Sequence, residues 1–161
     1  MEKPEFYENL EPIALAYYQA GCDIPDLHAD MKPKWDLHVL YSFNKNDNYY
    51  YVHCLDMDLI AYASVESQAE LRLMDMIQGH MSSALEEKRF EHLMDYPADD
   101  SILLYYHNLK MEYYRKQGGV IDKIISKIKD YDLHKKRRMV TQKLEEDIIL
   151  VEKIQEWRIA I

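Results

Sequence analysis

The sequence predicts an α+β protein: a small antiparallel sheet, built from a hairpin and a short third strand, with one helix packed on it and further helices before and after. Three observations carry that class. In DLHVLYSF, Asp36 to Phe43, residues Leu37, Val39, Tyr41 and Phe43 fall on one side and Asp36, His38 and Ser42 on the other, as a half-buried strand requires. NKND then supplies Asn and Asp, which tolerate the left-handed backbone of tight turns, and Asn48 to Leu55 resumes with tyrosine and valine of high strand propensity. From Ser67 the period becomes helical, with Ala69, Leu73, Met76, Ile77, His80, Met81, Ala84 and Leu85 on one face.

The elements follow in chain order. Pro4 to Ala20 places Phe6, Leu10, Leu15 and Tyr18 on a loose helical period, with Pro12 as a kink and Gly21 as a stop. GCDIPDLHADMKPK contains two prolines and is expected to be a linker, so residues 1–34 form a helical segment and linker. A third short strand is expected at Leu59 to Ala63, after a bend at Asp56 to Asp58. SQAE has the form of a capping box, and its helix is expected to run to about Met94, ahead of Pro97. Residues 35–96 thus make one α+β domain.

Residues 97–161 are expected to be a helical extension. Ile102, Tyr106, Leu109 and Tyr113 align on a helix from Ser101 that Gly118 and Gly119 would end; a strand is the alternative over 101–110, because ILLYY alone has no decisive period. Val120 to Tyr131 forms a further helix. Val140, Leu144, Ile148, Val151, Ile154, Trp157 and Ile161 then recur every three or four residues, a stripe that would pack on a neighbour within the chain or across an oligomer or docking interface.

At 161 residues the chain can bury a core without a metal or disulfide staple, so no cofactor is expected. Cys22 and Cys54 have no paired spacing, which suits a reducing, cytoplasmic setting. The glutamate-rich start reads as no leader, and nowhere do about 18 apolar residues run together, so no membrane role is expected. The net charge of −9 is unevenly spread. Residues 1–114 hold 8 Lys and Arg against 21 Asp and Glu, or −13; residues 115–143 hold 10 against 3, or +7; residues 144–161 hold 2 against 5, or −3. Such an acidic body attracts a basic protein and repels nucleic acid, while the basic segment does the opposite at short range.

Few residue clusters promise chemistry. His53, Cys54, Asp56 and Asp58 are all metal-ligand types, but strand alternation points His53 away from the other three unless a bulge intervenes. Cys54 reads more simply as a small core residue. No nucleophile elbow and no Gly-rich phosphate loop is present, so an enzyme is not expected. Lys135, Lys136, Arg137 and Arg138, flanked by Lys127, Lys129 and Lys143, would contact phosphates if nucleic acid is bound; a solvated helix face is the plain alternative. The run Tyr49, Tyr50, Tyr51 must put rings on both faces of its strand, leaving at least one exposed or at an interface.

The stretch YVHCLDMDLIAYASVESQAELRLMDMI, Tyr51 to Ile77, resembles the HicB-like antitoxin family. Cys54, Leu55, Asp56, Met57, Asp58 and Leu59 match the family's Cys-Leu-acidic-Leu-Asp-Ile-like run, and Ala69 falls at its helix alanine. Ala63 and Val65 depart from the Gly and Thr usual in the turn, where Ser64 or Ser67 would cap the helix instead. The resemblance covers about residues 35–85. It implies a partial double-stranded-RNA-binding-type fold and neutralisation of a small basic HicA-type mRNA interferase toxin. Tyr49, Tyr51, Asp56, Asp58, Glu66 and Glu70 are then the expected partner-binding residues. A structural adaptor in a larger prokaryotic complex is the alternative, favoured by the C-terminal stripe.

Overall fold

The computed structural model describes residues 2–22, 33–116 and 149–159. Five strands, β1 (Leu10–Cys22), β2 (Lys34–Asn44), β3 (Tyr49–Cys54), β4 (Leu59–Ala63) and β5 (Ile149–Arg158), form one antiparallel sheet in the order β4-β3-β2-β1-β5. Two helices, α1 (Glu66–Glu86) and α2 (Asp100–Lys116), lie on opposite faces. The class is α+β, as expected, but strands from residues 10–22 and 149–158 are hydrogen-bonded into the same sheet as the central hairpin.

The hairpin follows its sequence closely. Asn48 takes the left-handed conformation at φ 59°, its N–H donating to the Asn44 carbonyl at 2.8 Å, while the Asn44 side chain accepts from the Asn46 N–H. Leu37, Val39 and Tyr41 of β2 meet Val52 and Cys54 of β3 on the face covered by α1. Ala61 and Ala63 of β4 join them, so the third strand stands where the sequence placed it.

α1 buries Ala69, Leu73, Ile77, Met81 and Ala84, a single stripe at helical spacing. Two expectations fail at its ends. No side-chain cap forms at the N-terminus, because the cap residue is Val65, which has no side-chain acceptor, and Ser67 of the expected capping box lies inside the helix, which begins at Glu66. The helix stops at Glu86 and not near Met94: Lys88 turns left-handed at φ 56°, and the Arg89 N–H closes back on the Ala84 carbonyl at 2.8 Å. α2 is helical over 101–110, with Ile102, Tyr105, Tyr106 and Leu109 buried against Leu15, Leu40 and Trp157 on the second face.

The N-terminal helix expected over Pro4 to Ala20 is a strand beyond a short 3-10 turn, Glu5–Tyr7. β1 lies between β2 and β5, with Ala14, Ala16, Tyr18, Ala20 and Cys22 toward α1 and Leu15 toward α2. A strand covered on both faces loses its clean alternation, and its near-continuous burial imitates a loose helical period. Pro12 sits where the β1–β2 register shifts, at a position that needs no ladder N–H. Gly21 continues the strand, opposite Lys34.

The C-terminal stripe is also corrected. Val151, Ile154 and Trp157 lie on β5, not on a helix; Val140, Leu144, Ile148 and Ile161 lie outside the described residues, as do Gly118, Gly119, the helix over 120–131 and residues 23–32 of the expected linker, whose ends Gly21, Cys22 and Lys34 belong to β1 and β2. The β1–β5 register shifts between Tyr17 and Tyr18, inserting Ile154 on β5 and reversing the facing beyond it. Val151 therefore packs on the α1 side and Trp157 on the α2 side, and the apparent period of three comes from the bulge. Lys110 reaches over the Trp157 ring, its Nζ 4.6 Å from the centroid.

Trp157→Ala should lower the unfolding free energy by about 3–5 kcal/mol, the usual cost of emptying a buried indole site. Urea denaturation checks this, and a C-terminal segment independent of the sheet would leave the midpoint unmoved.

Candidate functional site

α2 covers β1, β2 and β5 on its face but leaves β3 and β4 open. The residues of that open face follow from strand parity: Tyr49, Tyr51 and His53 on β3, paired across to Tyr62 and Ile60 on β4. Tyr49 is 39% exposed and Tyr62 55%. The Tyr51 and Tyr62 rings stack at 5.6 Å between centroids, and Tyr49 meets Tyr62 edge-on at 5.8 Å. Asp47 closes the end of this row, accepting the Tyr51 hydroxyl at 2.6 Å and the Tyr49 N–H at 2.9 Å. That bond and partial burial push the Tyr51 hydroxyl up to about 12, so it remains a neutral donor.

Beyond Tyr51 the face turns inward at His53, which is 1% exposed. The Tyr7 hydroxyl stands 2.7 Å from its Nδ1, and its Nε2 lies 2.7 Å from Oδ1 of Asp58. An ionised carboxylate only accepts, so Nε2 carries the proton and Nδ1 accepts from Tyr7, a chain in which each bond is satisfied by a neutral ring. Burial lowers the His53 pKa from its ordinary value of 6.5, with Asp58 opposing the shift. Tyr7 is pushed well above 10, first by burial and then by Tyr105 and Asp58. Phe6, 45% exposed, packs edge-on against His53 at 6.0 Å and extends the aromatic face.

This corrects one expectation from alternation. His53 and Cys54 do face opposite ways, but Asp58 is not on the strand: it lies in the β3–β4 turn at φ 52°, which swings its carboxylate back under His53. Asp56 in the same turn accepts the His38 N–H at 2.5 Å and faces the His38 ring Nδ1 at 3.2 Å. The Leu55 carbonyl accepts from the Ala98 N–H at 2.8 Å, which pins the turn to the approach of α2. Cys54 lies in the core against α1, its thiol pushed up to about 12 by burial and then by Asp56. Among the described residues no three His, Cys, Asp or Glu come together in a way that could hold a metal ion.

The remaining expected partner-binding residues lie across the sheet. Glu70 accepts from the Tyr41 hydroxyl and pairs with Lys153 at 2.8 Å; Tyr18 bonds Tyr41 behind it, and Glu156 pairs with Lys153 at 3.3 Å. Burial pulls the Lys153 pKa down, but Glu70 and Glu156 outweigh it, so the ammonium is held above its ordinary value. Glu66 accepts from the two terminal guanidinium nitrogens of Arg158, at 2.5 and 3.1 Å. These carboxylates tie α1 to β5. Lys135, Lys136, Arg137 and Arg138 lie outside the described residues.

Tyr7, Phe6 and Tyr62 are the residues that sequence reasoning missed. Tyr62 was within reach, since folding the chain at Asp56 to Asp58 sets it opposite Tyr51. Tyr7 meets a histidine 46 positions away, and no local pattern announces such a contact. No protein-family model, no curated protein and no solved structure matches the chain.

Because the folded chain holds His53 neutral while the unfolded chain protonates near 6.5, this group's contribution to stability is complete above 6.5 and lost as pH falls through the lower folded value. Urea midpoints measured from pH 7.5 to 5 should therefore fall in the native chain and fall less in His53→Gln, whose amide can still donate to Asp58 and accept from Tyr7. At pH 7.5, Tyr7→Phe should cost about 1–3 kcal/mol by leaving Nδ1 buried without a donor.

Proposed function

We propose that the chain is a binding protein that captures a small basic protein partner on its acidic body, the role HicB-like antitoxins play toward HicA-type mRNA interferases. The observation that carries this is the charge of the body: 21 acidic against 8 basic side chains over residues 1–114, on a sheet that leaves tyrosines open. A field of that sign steers a cationic protein in and turns phosphate backbones away. The β2-β3-β4-α1 arrangement, which carries the resembling residues Tyr51 to Ile77, is compatible with the partial double-stranded-RNA-binding-type fold of that family. In this reading the chain performs no chemistry of its own, acts in the cytoplasm, and covers the partner's active site.

A structural adaptor within a larger assembly is the second reading. Leu104 and Met111, 59% and 41% exposed and seven residues apart on the outer side of α2, favour it as a helix seat for another subunit.

Tagged full-length chain, used to capture partners from its host and washed at rising salt, separates the two. The antitoxin reading expects one small basic protein that leaves as salt rises, that cleaves mRNA when freed, and that stops cleaving when the chain is added back. Several larger partners that resist salt would replace it with the adaptor.

A further inference from the structure

We infer that the open face of β3 and β4 is a docking site for arginine side chains of a basic protein segment, with the rings of Tyr49 and Tyr62 as its seats. This rests on the reading of the chain as a binder of a basic protein and specifies the chemistry by which it would choose among basic partners.

Three features support it. Exposed rings gathered on one part of the sheet, Tyr49 and Tyr62 in contact with each other, mark an interaction site and not ordinary surface scatter. Ring faces attract cations through their quadrupole, and a planar, weakly hydrated guanidinium stacks on them better than a compact ammonium does. The row is also flanked by acid: Asp47 at one end keeps acceptor capacity beyond its bonds to Tyr51 and Tyr49, and the Asp58 side chain is half exposed past His53. The one lysine of the hairpin loop, Lys45, is committed to Glu11 at 2.7 Å. Bases of single-stranded nucleic acid also stack on tyrosines, but their phosphates would have to approach this acid, which decides for arginine.

The test uses fluorescently labelled nine-residue arginine and lysine peptides and a thymine oligonucleotide, titrated with full-length chain at moderate salt. The arginine peptide should bind at least about fivefold tighter than the lysine peptide of equal charge. Replacing both rings, Tyr49→Ser with Tyr62→Ser, should abolish that preference and leave lysine-peptide binding in place, whereas Tyr49→Phe with Tyr62→Phe should keep it. Circular dichroism confirms that the variants fold. Equal binding of the two peptides, or a preference that survives the serine pair, overturns the inference while the acidic-capture reading stands. If neither peptide binds, that reading falls as well. Oligonucleotide binding lost in the serine pair would reassign the face to bases and overturn the inference.

Discussion

The sheet depends on β1. It holds β2 on one side and β5 on the other, and it is buried on both faces, so every layer of the molecule touches it. Its Ala14, Ala16, Tyr18 and Ala20 share the core that α1 closes, while Leu15 on the opposite side meets α2. Both layers of the core are thus built on a single strand. Without β1 the hairpin and third strand would keep α1 but lose β5, Trp157 and much of the support for α2.

The open tyrosine face follows from the same constraint. α2 takes its place from Leu15, Leu40 and Trp157, that is, from β1, β2 and β5, so it lies toward that side of the sheet and away from β4. β3 and β4 are left to be covered by whatever else the chain supplies. The 3-10 turn Glu5–Tyr7 supplies cover for His53 only, by placing the Tyr7 hydroxyl on its ring. A polar group buried there is tolerable because both ring nitrogens have partners, and Asp58 can be one of them only because its turn is left-handed.

The legible parts of this fold were those that follow one another in sequence and keep a local alternation or stripe, although Leu40 of β2 is buried against α2 as well. β2, β3 and β4 run in sequence with short turns, and α1 shows one apolar stripe, so the local pattern and the final environment agree for Leu37, Val39, Val52, Leu73 and Ile77. β1 and β5 were illegible for two separate reasons. Two-sided burial erased the alternation of β1, and a bulge at Ile154 gave β5 a helix-like spacing. At the site, Tyr49 and Tyr51 could be singled out from composition and parity. The placement of Glu66 and Glu70 could not, because their cations, Arg158 and Lys153, arrive from the far end of the chain on a strand that local pattern did not reveal.

That internal use of carboxylates bears on how the protein could select a partner. Glu66 and Glu70 already hold cations, Asp56 is bonded to His38, and Glu11 holds Lys45, so net charge overstates the acid free to meet another protein. The chain also carries its own segment of charge +7, residues 115–143, tethered to the acidic body. Charge draws a basic partner in but does not choose among basic partners. Selection has to come from something a basic segment does not share merely by being basic. Tyr49 and Tyr62 offer that, because lysine dominates residues 115–143 and a guanidinium gains more than an ammonium from an exposed ring.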